Sequence, residues 1–311
     1  MTNFFNRLKD FLIKPPSFSV AFQISHHYLS GIHVSPKEGK LKSQFILPLE
    51  SSALQPSFDK INIADDSYLE DVIKEGIKKL KFSEKNIALL LPESCLKVFV
   101  FSFVSLPSSP KEKEEIIRWS VKKQMPLLPD DTRLSFDVLR SNKEEKVLVS
   151  LARASVVHEY ESFFTKLGLR VGTIGVATLN LINLIDKEDN GNFILLNLEE
   201  DYISLIAFLN SEIALYRVKP LVRESQAELP FSKKIEDIAK EVKNTVNFIE
   251  DREKIKIDVF WARLGIVDPG EEILSTLQER LAVPLKMIEV PPSGLHFHES
   301  QILSPLVGQI L

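Results

Sequence analysis

The order of elements is the strongest constraint this chain carries: three short apolar strands, an amphipathic helix and another apolar strand, a series that recurs in its second half. The first series has strand-like stretches at Phe18 to Ile24, Tyr28 to Val34 and Leu41 to Leu49. A helix follows from Ser67 to Leu80, with Leu69, Val72, Ile73, Ile77 and Leu80 on one face, and then a strand from Ile87 to Leu91, stopped by Pro92. The second series has strands at Phe193 to Leu198, Tyr202 to Leu209 and Ile213 to Val218, a helix from Ser232 to Glu250 and a strand from Ile255 to Trp261. That helix carries an apolar stripe of Ile235, Ile238, Ala239, Val242, Val246 and Ile249 against a charged face, the pattern of a helix laid on a sheet. Two βββαβ units predict an α/β protein with two domains, and 311 residues suffice for two cores.

The units share no letters, only element order. Between them, residues 96–167 read as an inserted subdomain: a strand from Leu96 to Val104, a charged helix from Pro110 to Gln124, strands from Arg133 to Arg140 and Lys146 to Ala152, and a helix from Val156 to Leu167. The expected domains are therefore 17–95 with 168–190 for the first, 96–167 for the insertion and 191–311 for the second. The second is expected to continue with a helix from Glu271 to Leu281, a strand from Leu285 to Glu289 and a closing helix from Gln301 to Ile310 broken by Pro305. Ahead of these domains, residues 1–16 place Phe4, Phe5, Leu8, Phe11 and Leu12 at helical spacing before Pro15-Pro16. Such a segment suits peripheral contact with a membrane through residues 1–14, or equally a fold-back onto a neighbouring apolar patch.

Charge and cysteine content narrow the function classes. A formal net charge of −4 supplies no basic field for a phosphate backbone, so nucleic acid is not an expected partner. The single cysteine, Cys95, forms no internal disulfide and has no activating His or Lys pattern beside it, which predicts a structural thiol in a reducing compartment. No apolar run reaches the length of a membrane span, and the N-terminus lacks the apolar core of a signal peptide, so the expectation is a cytoplasmic protein. Catalytic signatures are missing: there is no nucleophile elbow, Walker loop or dinucleotide fingerprint. His296 and His298, flanking Phe297 and followed by Glu299, have a spacing that could ligate a metal but read more simply as a polar loop before the last helix.

Glycine is scarce, at 11 residues where average usage of about 7% would give roughly twice as many. Phosphate-cradling turns depend on glycine, because the backbone must adopt positive φ and bring its N–H groups close to the anion.

The duplicated βββαβ plan with an insertion in the first half resembles the actin and sugar-kinase superfamily, whose domains are RNase H-like. Finer stretches resemble the PilM family of type IV pilus assembly, which shares its inserted subdomain with the cell-division protein FtsA. They are Ile116-Ile117-Arg118-Trp119-Ser120, Gln124-Met125-Pro126-Leu127 and Leu134-Ser135-Phe136-Asp137-Val138-Leu139 in the insertion. Ile194-Leu195-Leu196-Asn197, Tyr202-Ile203-Ser204-Leu205 and Ala214-Leu215-Tyr216-Arg217 are similar to the family's second phosphate hairpin, and Ser304 to Gln309 to its final helix. The resemblance spans nearly the whole chain. Type II secretion proteins of the GspL kind share the fold and stand as the competing resemblance.

What the resemblance implies is a cytoplasmic component at the inner membrane. Its partner would be the short N-terminal peptide of a PilN-like membrane protein, docked between the first domain and the inserted subdomain, with pilus motor or platform proteins as further partners. Phe99, Phe101, Phe103, Ile117 and Trp119 are the expected groove walls, although Trp119 also suits a core position. The fold's nucleotide site departs from its pattern at three places. The first Asp-x-Gly falls on Gln23-Ile24-Ser25, followed by His26, His27 and Tyr28, and the second on Asn197-Leu198-Glu199, followed by Glu200 and Asp201. The adenosine-binding Gly-Gly step falls on Ala262-Arg263.

Bulky side chains thus stand where backbone should meet phosphate, and three carboxylates crowd the second turn. A like-charge pair at about 4 Å costs about 4 kcal/mol at an effective dielectric of about 20. The expectation is a protein that has lost ATPase activity and takes no cofactor, ATP and magnesium being disfavoured; a working ATPase with misaligned turns is the enzymatic alternative. His26 and His27 could instead pair with Glu199 or Glu200 and staple the two halves together.

Overall fold

The computed structural model describes residues 18–35, 39–139, 144–185, 191–221, 231–267, 273–281, 283–290 and 294–311. The N-terminal segment expected to contact a membrane lies outside them.

Strands β1 (Val20–Ile24), β2 (Tyr28–Val34) and β3 (Leu41–Pro48) form the antiparallel meander, followed by helix α1 (Asp66–Leu80) and strand β4 (Asn86–Leu91). Asp65 caps α1 by accepting the Tyr68 N–H at 3.0 Å, and the helix buries Leu69, Ile73 and Leu80. After the insertion the chain returns through β8 (Arg170–Val176) and a short helix α4 (Ala177–Leu181). The first sheet runs β3-β2-β1-β4-β8, with β4 and β8 parallel to β1.

The second half repeats this order: β9 (Phe193–Leu198), β10 (Tyr202–Leu209), β11 (Glu212–Pro220), helix α5 (Phe231–Glu253), β12 (Val259–Leu264), α6 (Ile273–Arg280) and β13 (Leu285–Met287). Its sheet is β11-β10-β9-β12-β13, position for position the counterpart of the first. Strand β12 starts four residues later and ends three later than the expected Ile255 to Trp261. Lys254, at φ 58°, terminates α5, and the segment up to Asp258 is used in crossing to the sheet.

The insertion contains β5 (Leu96–Phe103), α2 (Pro110–Gln124), β6 (Thr132–Leu139) and β7 (Glu145–Arg153), in a three-stranded antiparallel sheet of order β5-β7-β6. Its own small core joins Ile117 and Val121 of α2 to Val147, Val149 and Leu151, with Phe99, Phe101 and Phe103 packed against it. Helix α3 (Ala154–Lys166), assigned to the insertion by sequence order, instead buries Val156, Val157, Tyr160, Phe163 and Phe164 in the main core with Phe22 and Ile73.

A similar shift affects the closing helix. Helix α7 (Phe297–Ile310) is continuous through Pro305 and begins four residues earlier than the sequence suggested, with His296 at its cap and Glu299 accepting the His296 N–H at 3.4 Å. The polar loop expected at 296–299 is thus the first turn of this helix. Leu303 and Leu306 pack with Ala21, Ile32, Ala88 and Leu90, so α7 follows the second domain in sequence but lies on the first domain's sheet. Among the described residues no helix is long and apolar enough to cross a membrane.

Candidate functional site

The two equivalent hairpin turns face each other where the domains meet. In the first, the Ser25 N–H donates to the Tyr28 carbonyl at 2.9 Å; in the second, the Glu199 N–H donates to the Tyr202 carbonyl at 3.0 Å. Ser25-His26-His27-Tyr28 therefore corresponds to Glu199-Glu200-Asp201-Tyr202. The turns exchange partners across the cleft as two copies of one motif would about a twofold axis. His26 Nδ1 lies 3.3 Å from Asp201, and His27 Nδ1 lies 3.5 Å from Glu200. The second residue of each turn meets the third of the other. Of the pairings read from the sequence, with Glu199 or Glu200, the one with Glu200 forms; Asp201, not expected there, takes the other histidine, and Glu199 is engaged elsewhere.

Glu199 is engaged by Arg263. Alternation along β12 sends Phe260, Ala262 and Leu264 into the second domain's own core, so Ala262 never reaches the cleft, and turns Trp261 and Arg263 to the other face. The expected turn at Ala262-Arg263 is strand; the chain leaves the strand at Gly265. Register places Arg263 beside Asn197 of β9, and its side chain fills the junction, fully buried.

Every donor of that guanidinium's inner edge is satisfied. Nη1 forms an ion pair with Glu199 and donates to Asn197 Oδ1 at 2.9 Å; Nη2 donates to Tyr28 Oη at 2.8 Å and to the Ile302 carbonyl at 3.0 Å; Nε donates to the Gln301 carbonyl at 2.8 Å. The Gln301 acceptor exists because Pro305, four residues on, has no N–H to close the helical bond. Gln23 Nε2 donates to Tyr28 Oη at 3.0 Å, Tyr28 Oη donates to Glu199 at 2.9 Å, and Ser25 Oγ donates to Glu199 at 3.3 Å.

Burial opposes charge on Arg263, but Glu199 and Tyr28 outweigh it and hold the guanidinium above its ordinary pKa. Burial raises the Glu199 carboxyl above its ordinary range, with Arg263 pulling the other way. The like-charge repulsion expected among Glu199, Glu200 and Asp201 is relieved because each carboxylate has a separate basic partner: Arg263, His27 and His26.

A second buried cluster tightens the same interface. Glu93, in the turn after β4, accepts the Thr178 N–H at 2.7 Å and the Tyr216 hydroxyl at 2.7 Å, and also the hydroxyls of Thr178 and Ser204. Asn197 Nδ2 donates to Thr178 Oγ1 at 2.8 Å and so joins it to the arginine cluster. Sequence reasoning missed Glu93, Thr178, Ser204, Tyr216 and Gln301. A glutamate directly after an all-apolar strand and Pro92 was the available signal.

The fit of this cleft to a magnesium nucleotide is poor. Ser25, Asn197, Glu199 and Arg263 are buried in one hydrogen-bonded cluster, Gln23 joins it through Tyr28, and the carboxylates nearest the two turns carry basic partners. Gly265 does lack a Cβ for a reason, but the room it leaves is taken by the Arg263 guanidinium and the Glu199 carboxylate.

The residues expected to wall a partner groove are dispersed. Ile117 is fully buried under the insertion's sheet and Phe103 packs beside that core. Trp119 is 59% exposed on the outer face of α2, with Lys123 Nζ 3.4 Å above its ring. Phe99 and Phe101 line a cleft of about 1070 Å³ between the insertion and the β10–β11 hairpin, toward the second domain. The space between the first domain and the insertion is a separate groove of about 270 Å³, lined by Leu134 and Ser135 of β6, Leu151 of β7, Val157 of α3, and Val171 and Ile174 of β8. Strands β6 and β8 are both edge strands, so backbone hydrogen-bonding groups face this groove from both walls.

No family model matches the sequence, and no curated protein matches it. Solved structures do. A chain of a PilM–PilN type IV pilus biogenesis complex superimposes with a TM-score of 0.75 at 18% identity, covering 95% of this chain and 97% of that one. A Bacteroides thetaiotaomicron protein described as having an actin-like ATPase fold and unknown function gives 0.56 at 10% identity over 94% and 95% of the chains. The ethanolamine utilization protein EutJ from Carboxydothermus hydrogenoformans gives 0.52 at 9% identity over 98% and 96%. The chain has the actin-like fold.

Proposed function

We propose that this chain is a non-catalytic, PilM-like scaffold. It acts at the cytoplasmic face of the inner membrane and binds the N-terminal peptide of a PilN-like membrane protein. The observation that carries the reading is the occupation of the interdomain cleft by the chain's own Arg263, tied into five acceptors. A nucleotide would have to displace a buried ion pair before meeting any phosphate donor. Similarity over 95% of the chain to a chain of a PilM–PilN complex supports the choice of partner.

The groove between β6 and β8 is the proposed docking site, in place of the Phe99 to Trp119 surface. An extended peptide there would add to an exposed sheet edge while its alternate side chains enter the pocket formed by Leu134, Leu151 and Ile174. The test is calorimetric titration with magnesium ATP and, separately, with the cytoplasmic peptide of a PilN-like protein. The scaffold reading expects no heat with millimolar nucleotide and saturable binding of the peptide, weakened at least about tenfold by Ser135→Trp, which fills the groove from an exposed strand position. Magnesium-dependent ATP binding refutes the non-catalytic reading, and peptide affinity unchanged by Ser135→Trp refutes the docking site.

A further inference from the structure

The histidines of the first turn have an arrangement that ion pairing alone does not explain. His26 Nδ1 and Asp201 Oδ1 are buried polar atoms with no hydrogen-bond partner, although the His26 ring nitrogen is only 3.3 Å from the other oxygen of Asp201. The His27 ring packs against His26 at a tilt of 44°, with centroids 4.5 Å apart. One ligand atom from each of His26, His27 and Asp201 falls within a sphere in which all three are no more than 4.8 Å from one another.

Two ligand atoms bound at about 2.0–2.1 Å to a tetrahedral ion lie about 3.4 Å apart. The His26–Asp201 separation, measured to Asp201 Oδ2, is close to that distance, and His26 Nδ1 and Asp201 Oδ1 have no hydrogen-bond partner to give up.

We propose that His26, His27 and Asp201 bind one zinc-like divalent transition-metal ion that bridges the β1–β2 and β9–β10 turns. Two imidazoles and a carboxylate are a donor set for zinc, cobalt or nickel; magnesium takes oxygen ligands and keeps several waters. The site therefore differs in chemistry from a nucleotide's magnesium. Side-chain exposures of 24% for both histidines and 16% for Asp201 give an ion access from solvent and leave room for a water as a further ligand. Because the ligands come from two domains, the ion fastens the domains together and acts beside Arg263 without sharing any ligand with it.

The test uses the full chain freed of metal by chelator, titrated with zinc chloride by calorimetry and with cobalt(II) chloride by visible absorption. The expected result is one ion per chain, the intense visible bands of tetrahedral cobalt, and a thermal midpoint that rises with zinc but not with magnesium. His26→Ala and Asp201→Asn each weaken binding at least about tenfold, whereas the His296→Ala/His298→Ala variant binds as the unmodified protein does. Absence of saturable zinc binding overturns the proposal, and so does binding that survives both His26→Ala and Asp201→Asn. If His26→Ala does not fold by circular dichroism, Asp201→Asn, which keeps the side-chain shape, decides the outcome together with the cobalt spectrum.

Discussion

Replacing Arg263 by methionine tests whether the interdomain junction depends on one guanidinium. The substitution keeps an unbranched apolar stem and removes the charge, leaving Glu199 buried with only the Tyr28 and Ser25 hydroxyls as donors. Removing one partner of a buried ion pair costs about 3–5 kcal/mol. Asn197 Oδ1 and the Ile302 carbonyl also lose donors, at about 1 kcal/mol each, whereas the Gln301 carbonyl keeps the Ser304 hydroxyl at 2.8 Å. The expected loss is therefore about 5–7 kcal/mol, a large share of the stability of an ordinary domain.

Arg263→Met/Glu199→Gln removes the orphaned charge as well and should recover about 3 kcal/mol of that loss, so the cycle gives a strongly favourable coupling. Urea unfolding followed by circular dichroism at neutral pH, with chelator present, measures all four corners. A single-variant loss below about 1 kcal/mol, or a double variant no more stable than Arg263→Met, would refute the claim that this pair is buried and mutually dependent.

Gly265→Ala should destabilise by about 2 kcal/mol, because a Cβ there collides with the Arg263 guanidinium and Glu199, both held in place; thermal melts read the effect. Cys95 should resist a thiol-specific disulfide reagent in the native protein at pH 8 and react stoichiometrically in denaturant, since burial pushes its thiol up to about 12. Asp131 accepts from Arg153 Nε at 2.8 Å and from the Ser155 hydroxyl at 2.7 Å, and these bonds hold its carboxyl below the ordinary range. Its contribution is accordingly present above the ordinary aspartate pKa and lost as pH falls through the depressed folded value; carboxyl NMR titration should return it toward normal in Arg153→Gln.

The duplicated plan could be read from the chain because each strand and helix carries its own periodicity, and sheet order follows from repeating one unit twice. Phe193–Leu198, Tyr202–Leu209 and Pro110–Gln124 were legible to the residue. Strand β12 was not, since a left-handed Lys254 and a short irregular crossing look, in sequence, like the start of the strand. Gln23, Ser25, His26, Asn197, Glu199 and Arg263 were all singled out because they break a pattern, and they do meet. What each contacts was invisible: nothing local tells Arg263 that Tyr28, 235 positions away, is its partner. The surroundings of the expected groove walls were hidden for a related reason. Alternating Phe99, Phe101 and Phe103 signal one apolar face, but only the folded insertion shows that they lie half-buried beside its core, with Phe99 and Phe101 also lining a cleft.

The placement of α7 has a mechanical consequence. Two fixed points between rigid bodies still permit rotation about the line joining them, and the Arg263 and Glu93 clusters are two such points. Helix α7 packs on β1, β2 and α4 of one body and on β12 of the other, and its Gln301 and Ile302 carbonyls are themselves acceptors of Arg263, so helix and arginine form one broad attachment. An attachment spread along a helix resists rotation about that line in a way that a single bonded point does not. Relative motion of the two bodies therefore requires breaking the Arg263 cluster and unseating α7 together.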